Sequence, residues 1–293
     1  MQDIFDLRDE ITETAVGAIE PEVAQAELDR TKAKRPENRD AWGLCLRARA
    51  QVYLFTHEAL EEAASLCRRA IERESNLARA HSTLALAYQR QLLLNYAKDR
   101  KVVRQSVRRT AQRAVALDRE DAVGHTVLGL ALWKAGEADE AMSVLNTAMA
   151  LNPSHAFAQS TVGLALGTSS DPERAMEFHD TAIRLSPRDP QPAIFLSRHA
   201  NAYINMGRYE KAVDLAKRAI RRSGGNLWLN FVEGANVLAQ LNRLEEARDM
   251  VRRMKSIHLD ALVQAVRRAF PFADPAADKH YMNGLRLAGL NED

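Results

Sequence analysis

The chain is short of the residues that make turns, crosslinks and membrane spans. Nine prolines and 13 glycines among 293 residues are too few for a β-sandwich or barrel, which needs a turn about every 8–12 residues. Cys45 and Cys67 are the only cysteines, too few for a disulfide framework or a four-thiolate zinc site, and they read as small buried residues in a reducing compartment. Neither sign of charge is in excess. With 41 Lys and Arg against 39 Asp and Glu the formal charge is +2, so no bulk field commits the chain to nucleic acid or to an anionic membrane. Long apolar runs are missing too. The longest stretch without a formal charge, residues 141–170, contains Asn146, Asn152, Pro153, His155 and Gln159, so it is no bilayer span. The first residues, MQDIFDLRDE, lack the basic and apolar regions of a signal peptide, and a cytoplasmic location is expected.

The patterns of catalysis are equally absent. None of the eight histidines falls in an H-E-x-x-H pair, and no G-x-S-x-G elbow, G-x-x-x-x-G-K-[ST] loop or strand-led G-x-G-x-x-G occurs. The expectation is a protein that is not an enzyme, without metal or cofactor. Gly224 and Gly225 stand where a helix should end, and read as a C-terminal cap.

Alanine is what the chain has in quantity, 48 residues, and it falls in register. Residues 138–156 and 171–190 superpose at an offset of 34, pairing Ala141 with Ala175, Ala148 with Ala182, and Pro153 with Pro187. Extending the frame gives repeats beginning near Leu44, Ala78, Ala122, Ala156, Ala193 and Trp228. Repeat position 20 is then Ala63, Val107, Ala141, Ala175, Ala212 and Ala247; position 27 is alanine in the first five repeats and Met254 in the sixth; position 8 is Gln51, Ala85, Gly129, Gly163, Ala200 and Ala235. Small residues at such places let antiparallel helices approach closely. His81 and His125 share position 4, and a packing role is expected for both. This pattern resembles the tetratricopeptide repeat, a helix-turn-helix unit. The resemblance implies an all-α, right-handed superhelix of about six repeats, its first helices lining a concave surface. Repeats two and three are 44 residues apart, and the extra length, residues 89–99, suits either lengthened helices or a contact between copies.

The expected organisation has three parts: an N-terminal amphipathic helical segment over 1–39, the repeat array over 40–259, and C-terminal capping helices over 260–293. Residues 1–30 carry nine acidic side chains against Arg8 and Arg30, a local charge of −7. Residues 4–23, 37–50 and 271–290 are together similar to the C-terminal repeat regions of bacterial multidomain regulators. In those proteins the repeat region follows a class III adenylate or guanylate cyclase domain or a winged-helix domain. The resemblance implies a regulatory or interaction role for this part, with no cyclase domain within it.

Two surfaces are candidates. Arg100, Arg104 and Arg108 recur every four residues within 98–113 and form a basic stripe, suited to phosphates, to a solvated outer face or to pairing with the acidic N-terminal helices; the absence of interleaved aromatic residues argues against nucleic acid. The resemblance places Val123, Thr126, Leu130, Trp133, Phe157, Ser160 and Leu164 on the concave surface, followed by the amide-rich Ser197, Asn201, Asn205 and Asn236. An apolar groove of this kind suits an amphipathic helix or an extended apolar peptide, with Trp133, Leu130 and Leu164 as anchors. The same residues serve equally to pack neighbouring helices or the chain's own N-terminal helix. The expected function is a non-catalytic scaffold or regulatory module binding a protein or peptide partner, intramolecular partners included. A small-ligand sensor, or a regulatory fragment of a nucleotide cyclase or transcriptional regulator, is the alternative.

Overall fold

The computed structural model describes residues 40–167, 171–186, 192–257, 263–269 and 275–290; the expected N-terminal segment, Pro187 and residues 258–262 lie outside them. Fourteen helices make up the described residues. They are α1 (Ala41–Val52), α2 (His57–Arg73), α3 (Ala78–Leu93), α4 (Arg100–Leu117), α5 (Ala122–Lys134), α6 (Ala138–Leu151), α7 (Ala156–Gly167), α8 (Pro172–Arg184), α9 (Pro192–Asn205), α10 (Tyr209–Arg222), α11 (Trp228–Gln240), α12 (Leu244–Ile257), α13 (Val263–Ala269) and α14 (Pro275–Leu287). The fold is all-α. Two compact units divide within α7: one holds residues up to 161 with 184–190, the other 162–183 and everything from 191 on.

In the first unit α1 packs on α2, α3 on α4 and α5 on α6, and the first helices α1, α3 and α5 also touch in succession. The second unit pairs α9 with α10 and α11 with α12, sets α9 beside α11, and lays α14 against α11. Alanine explains the closeness. Ala63, Ala70, Ala85, Ala114, Ala141, Ala148, Ala200, Ala212, Ala219, Ala235 and Ala247 are all completely buried. At Gly129 even a methyl group is too much, since a Cβ would stand 2.6 Å from Leu145 Cγ on the facing helix.

Local chemistry sets where helices start and stop. Asp40, Thr56, Asp99 and Asp121 cap α1, α2, α4 and α5, each side chain accepting from a backbone N–H of the first turn at 2.7–3.2 Å, which satisfies donors the helix cannot. The turn between paired helices recurs: Gly136, Gly207 and Asn242 all take the left-handed conformation, with φ of 86°, 67° and 59°. The next residue's N–H then returns to a carbonyl five residues back, Glu137 to Leu132, Arg208 to Tyr203 and Arg243 to Leu238, which closes the first helix. Gly224 and Gly225, φ 61° and 75°, end α10, with Gly225 N–H donating to Ile220.

Position 4 proves to be a tether. His81 donates to the Ser75 carbonyl, His125 to Arg119 and Gln159 to Pro153, at 3.0, 3.0 and 3.2 Å, each pinning the connection six residues upstream. The extra length between the second and third pairs lies in long helices, α3 and α4, and a connection in which Leu94 is fully buried. No described helix is long and apolar enough to cross a membrane.

Candidate interaction face of the first helices

The apolar residues expected to line a groove divide sharply by burial. In the first unit Thr126, Leu130 and Ser160 are completely buried and Phe157 is 2% exposed, whereas Val123 and Trp133 are half-buried. Thr126 donates its hydroxyl to the Ala122 carbonyl at 2.7 Å and meets His155 Nδ1 at 3.3 Å. The Arg90 guanidinium, itself fully buried, lies 5.2 Å from the Phe157 ring centroid and 5.6 Å from that of Phe55, a cation–π arrangement on two sides. Leu130 and Phe157 are therefore core, not open anchors. Trp133 keeps a solvent-reaching edge, with Lys134 Nζ 5.1 Å from its centroid.

In the second unit Leu164 is half-buried and Asn205 exposed, while Ser197 and Asn201 are 5% exposed and Asn236 not at all. Asn236 is engaged by the chain itself. Its Nδ2 donates to the Tyr281 carbonyl of α14, and Gln240 Nε2 donates to the His280 carbonyl at 3.2 Å. The expected open groove through Asn236 is thus filled here: α14 turns back onto the first-helix face of the last pair. Tyr281, Met282, Leu285, Ala288 and Leu290 are 1% exposed or less, and these apolar anchors drive the docking.

Beneath α14 lies a polar cluster that sequence reasoning missed. Tyr281 donates its hydroxyl proton to Glu233 Oε2 at 2.9 Å. Burial without a counter-charge pushes the Glu233 carboxyl up to about 8, with the Tyr281 hydroxyl and the nearby Asn201 amide acting the other way. A signal was present, because Glu233 is the one formal charge in WLNFVEGANVLAQ. Its partner forty-eight residues on was not readable.

A second unforeseen cluster stands between α8 and α9. His179 and His199 stack with centroids 5.6 Å apart, and His199 stacks on Tyr203 at 5.0 Å. Burial holds both imidazoles below their ordinary range; His199 and Arg198 add to this at His179, and Asp180 opposes it at His199. Among the described residues no group of three or more His, Cys, Asp or Glu is placed to hold a metal.

The basic stripe is largely consumed by the fold. Arg100 donates to the Leu92 carbonyl at 2.9 Å and to Asn95 Oδ1 at 3.4 Å, closing the turn after α3. Arg108 makes a two-pronged pair with Glu137. Arg104 is left exposed, so three arginines do not act as one cationic surface.

Residues 124–155 and 195–226 match the tetratricopeptide repeat family, and residues 235–259 match the PPR repeat. Over 141 residues, 48% of this chain, the sequence is 27% identical to a protein of Rhizobium meliloti named "Putative adenylate cyclase 3". The match spans 24% of that protein's length. Among solved structures, a thermophilic tetratricopeptide protein of Thermus thermophilus is similar at 23% identity and TM-score 0.52, over 66% of this chain and 97% of that one. The human IFIT1 dimer with m7Gppp-AAAA is similar at 12% identity and TM-score 0.67, over 92% and 65% of the two chains. These likenesses show the fold.

Proposed function

We propose, from the tetratricopeptide repeats the chain carries, that it is a protein-interaction module whose first-helix face receives a helical segment of a protein partner. One observation carries the reading: α14 already lies on that face, its backbone carbonyls accepting from Asn236 and Gln240. Bonds of this kind read the main chain of a helix, and shape and apolar anchors supply selectivity. The internal use of Arg100 and Arg108 favours protein over nucleic acid as partner. The stretch shared with a cyclase-named protein supports a regulatory setting, in which the partner is a segment of a larger signalling protein, without chemistry by this chain itself.

The test is site-specific photo-crosslinking from three positions on the first helices that reach solvent: Val123, Trp133 and Asn205. A discrete protein adduct whose crosslinked peptide comes from a helical segment is expected. Protein adducts at none of the three positions would overturn the reading.

A further inference from the structure

The seat of α14 is well made in one respect and incomplete in another. Gly284 lets the helix sit low, since a Cβ there would stand 2.8 Å from Gln240 Nε2 and 3.0 Å from Asn236 Nδ2. Yet three polar atoms around the seat have no hydrogen-bond partner among the described residues: Glu233 Oε1, Asn236 Oδ1 and Asn201 Nδ2. All belong to residues 5% exposed or less. Asn201, on α9, faces both Glu233 and Tyr281. Native interiors rarely leave such atoms unpaired, because each gives up water and gains nothing in return. The apolar side of α14 therefore holds the helix against a polar seat that it satisfies only in part.

The carboxyl is the sensitive point. Among the described residues the groups acting on Glu233 are Tyr281 of α14 and Asn201 of α9, and no cationic side chain is among them. An ionised carboxylate in this place would be a buried charge without compensation, which a protein relieves by taking up a proton or by opening the site to water. We propose that α14 is a displaceable occupant of the α9–α11 face, held while the Glu233 carboxyl carries its proton and released as that proton is lost. Release uncovers Asn201, Glu233 and Asn236. What the freed face then receives rests on the reading of the chain as an interaction module; the release itself does not.

The direction follows from linkage. The seated state raises the Glu233 carboxyl to about 8, and a released, hydrated Glu titrates near 4.5. Seating is strongest below the released value, weakens as pH rises between the two, and levels off above the seated one. His280, also on α14, hydrogen-bonds Tyr209 at 2.8 Å, a contact that is given up with the seat when the helix leaves.

Hydrogen exchange of the full chain, read by mass spectrometry as protection factors between pH 5.5 and 9, tests this without any partner. The opening of residues 278–290 should rise about tenfold per pH unit up to near pH 8 and then level off, while residues 228–257 keep their protection. Glu233→Gln, which cannot ionise, should flatten the profile. Tyr281→Phe keeps the ring but loses the bond, and should open 278–290 about tenfold more at pH 6. Opening of 278–290 that is independent of pH in the wild type would overturn the proposal. So would an identical pH profile over 228–257, which would make α14 an inseparable part of the core.

Discussion

The backbone of Gly163 passes directly beneath the imidazole of His179: a Cβ at residue 163 would stand 2.8 Å from His179 Cε1 and 3.0 Å from both ring nitrogens. The ring is completely surrounded, His179 being 1% exposed, so it cannot swing aside. Gly163→Ala is expected to cost about 1–3 kcal/mol of stability through overpacking. Denaturant melts of the single variant and of Gly163→Ala with His179→Ala test it, and the smaller ring site should recover part of the loss.

The same ring makes the protein sensitive to acid. Folding depresses His179 well below the ordinary imidazole value of 6.5, so the unfolded chain binds the proton more readily. Stability from this group is complete above about pH 6.5 and falls as pH drops toward the folded value, with a slope of about 1.4 kcal/mol per unit for one proton. In His179→Leu, which restores the leucine found at the matching place in the preceding pair, Leu145, melting temperature between pH 7 and pH 5 should fall less steeply than in the wild type.

Arg100 and Arg104 look alike in sequence and differ in the fold. Arg100→Ala removes the donor to Leu92 and Asn95 and should destabilise by about 1 kcal/mol. Arg104→Ala alters an exposed side chain and should stay within about 0.5 kcal/mol. Chemical denaturation of the two variants side by side decides this.

Both cysteines should be inert in the folded protein. Cys45 is 1% and Cys67 0% exposed; burial pushes the Cys45 thiol up to about 11 and the Cys67 thiol well above its ordinary value. A thiolate is the reactive form. A thiol reagent at pH 8 should therefore find no free thiol in the native chain and both after denaturation.

The repeat was legible because its cause is local. Two antiparallel helices that share a close seam demand a small residue at each crossing, and an array repeats that demand at a fixed interval, so Ala141 and Ala175 or Ala148 and Ala182 announce themselves. The C-terminal cap at Gly224 and Gly225 was legible for the same reason, since a glycine at a helix end acts on the turn just before it. The interaction face was read less well. Repeat position alone assigned Leu130, Phe157 and Asn236 to an open surface. The engagement of Arg100 and Arg108 within the fold was not legible, because their acceptors, the end of α3 and the start of α6, lie on other elements.

From the sequence alone came the all-α class, the helix pairs and the small residues that let them meet. Periodicity records contacts that recur within and between successive repeats. What only the tertiary structure decided was where the chain turns back on itself: Tyr281 against Glu233, Asn236 beneath α14, His199 stacked on His179. Each of these joins residues through a single contact that no period repeats. Side-chain burial, hydrogen-bond partners and the proton affinity of Glu233 all depend on that return, because an isolated helix bearing one glutamate is ordinary until another helix removes the water around it.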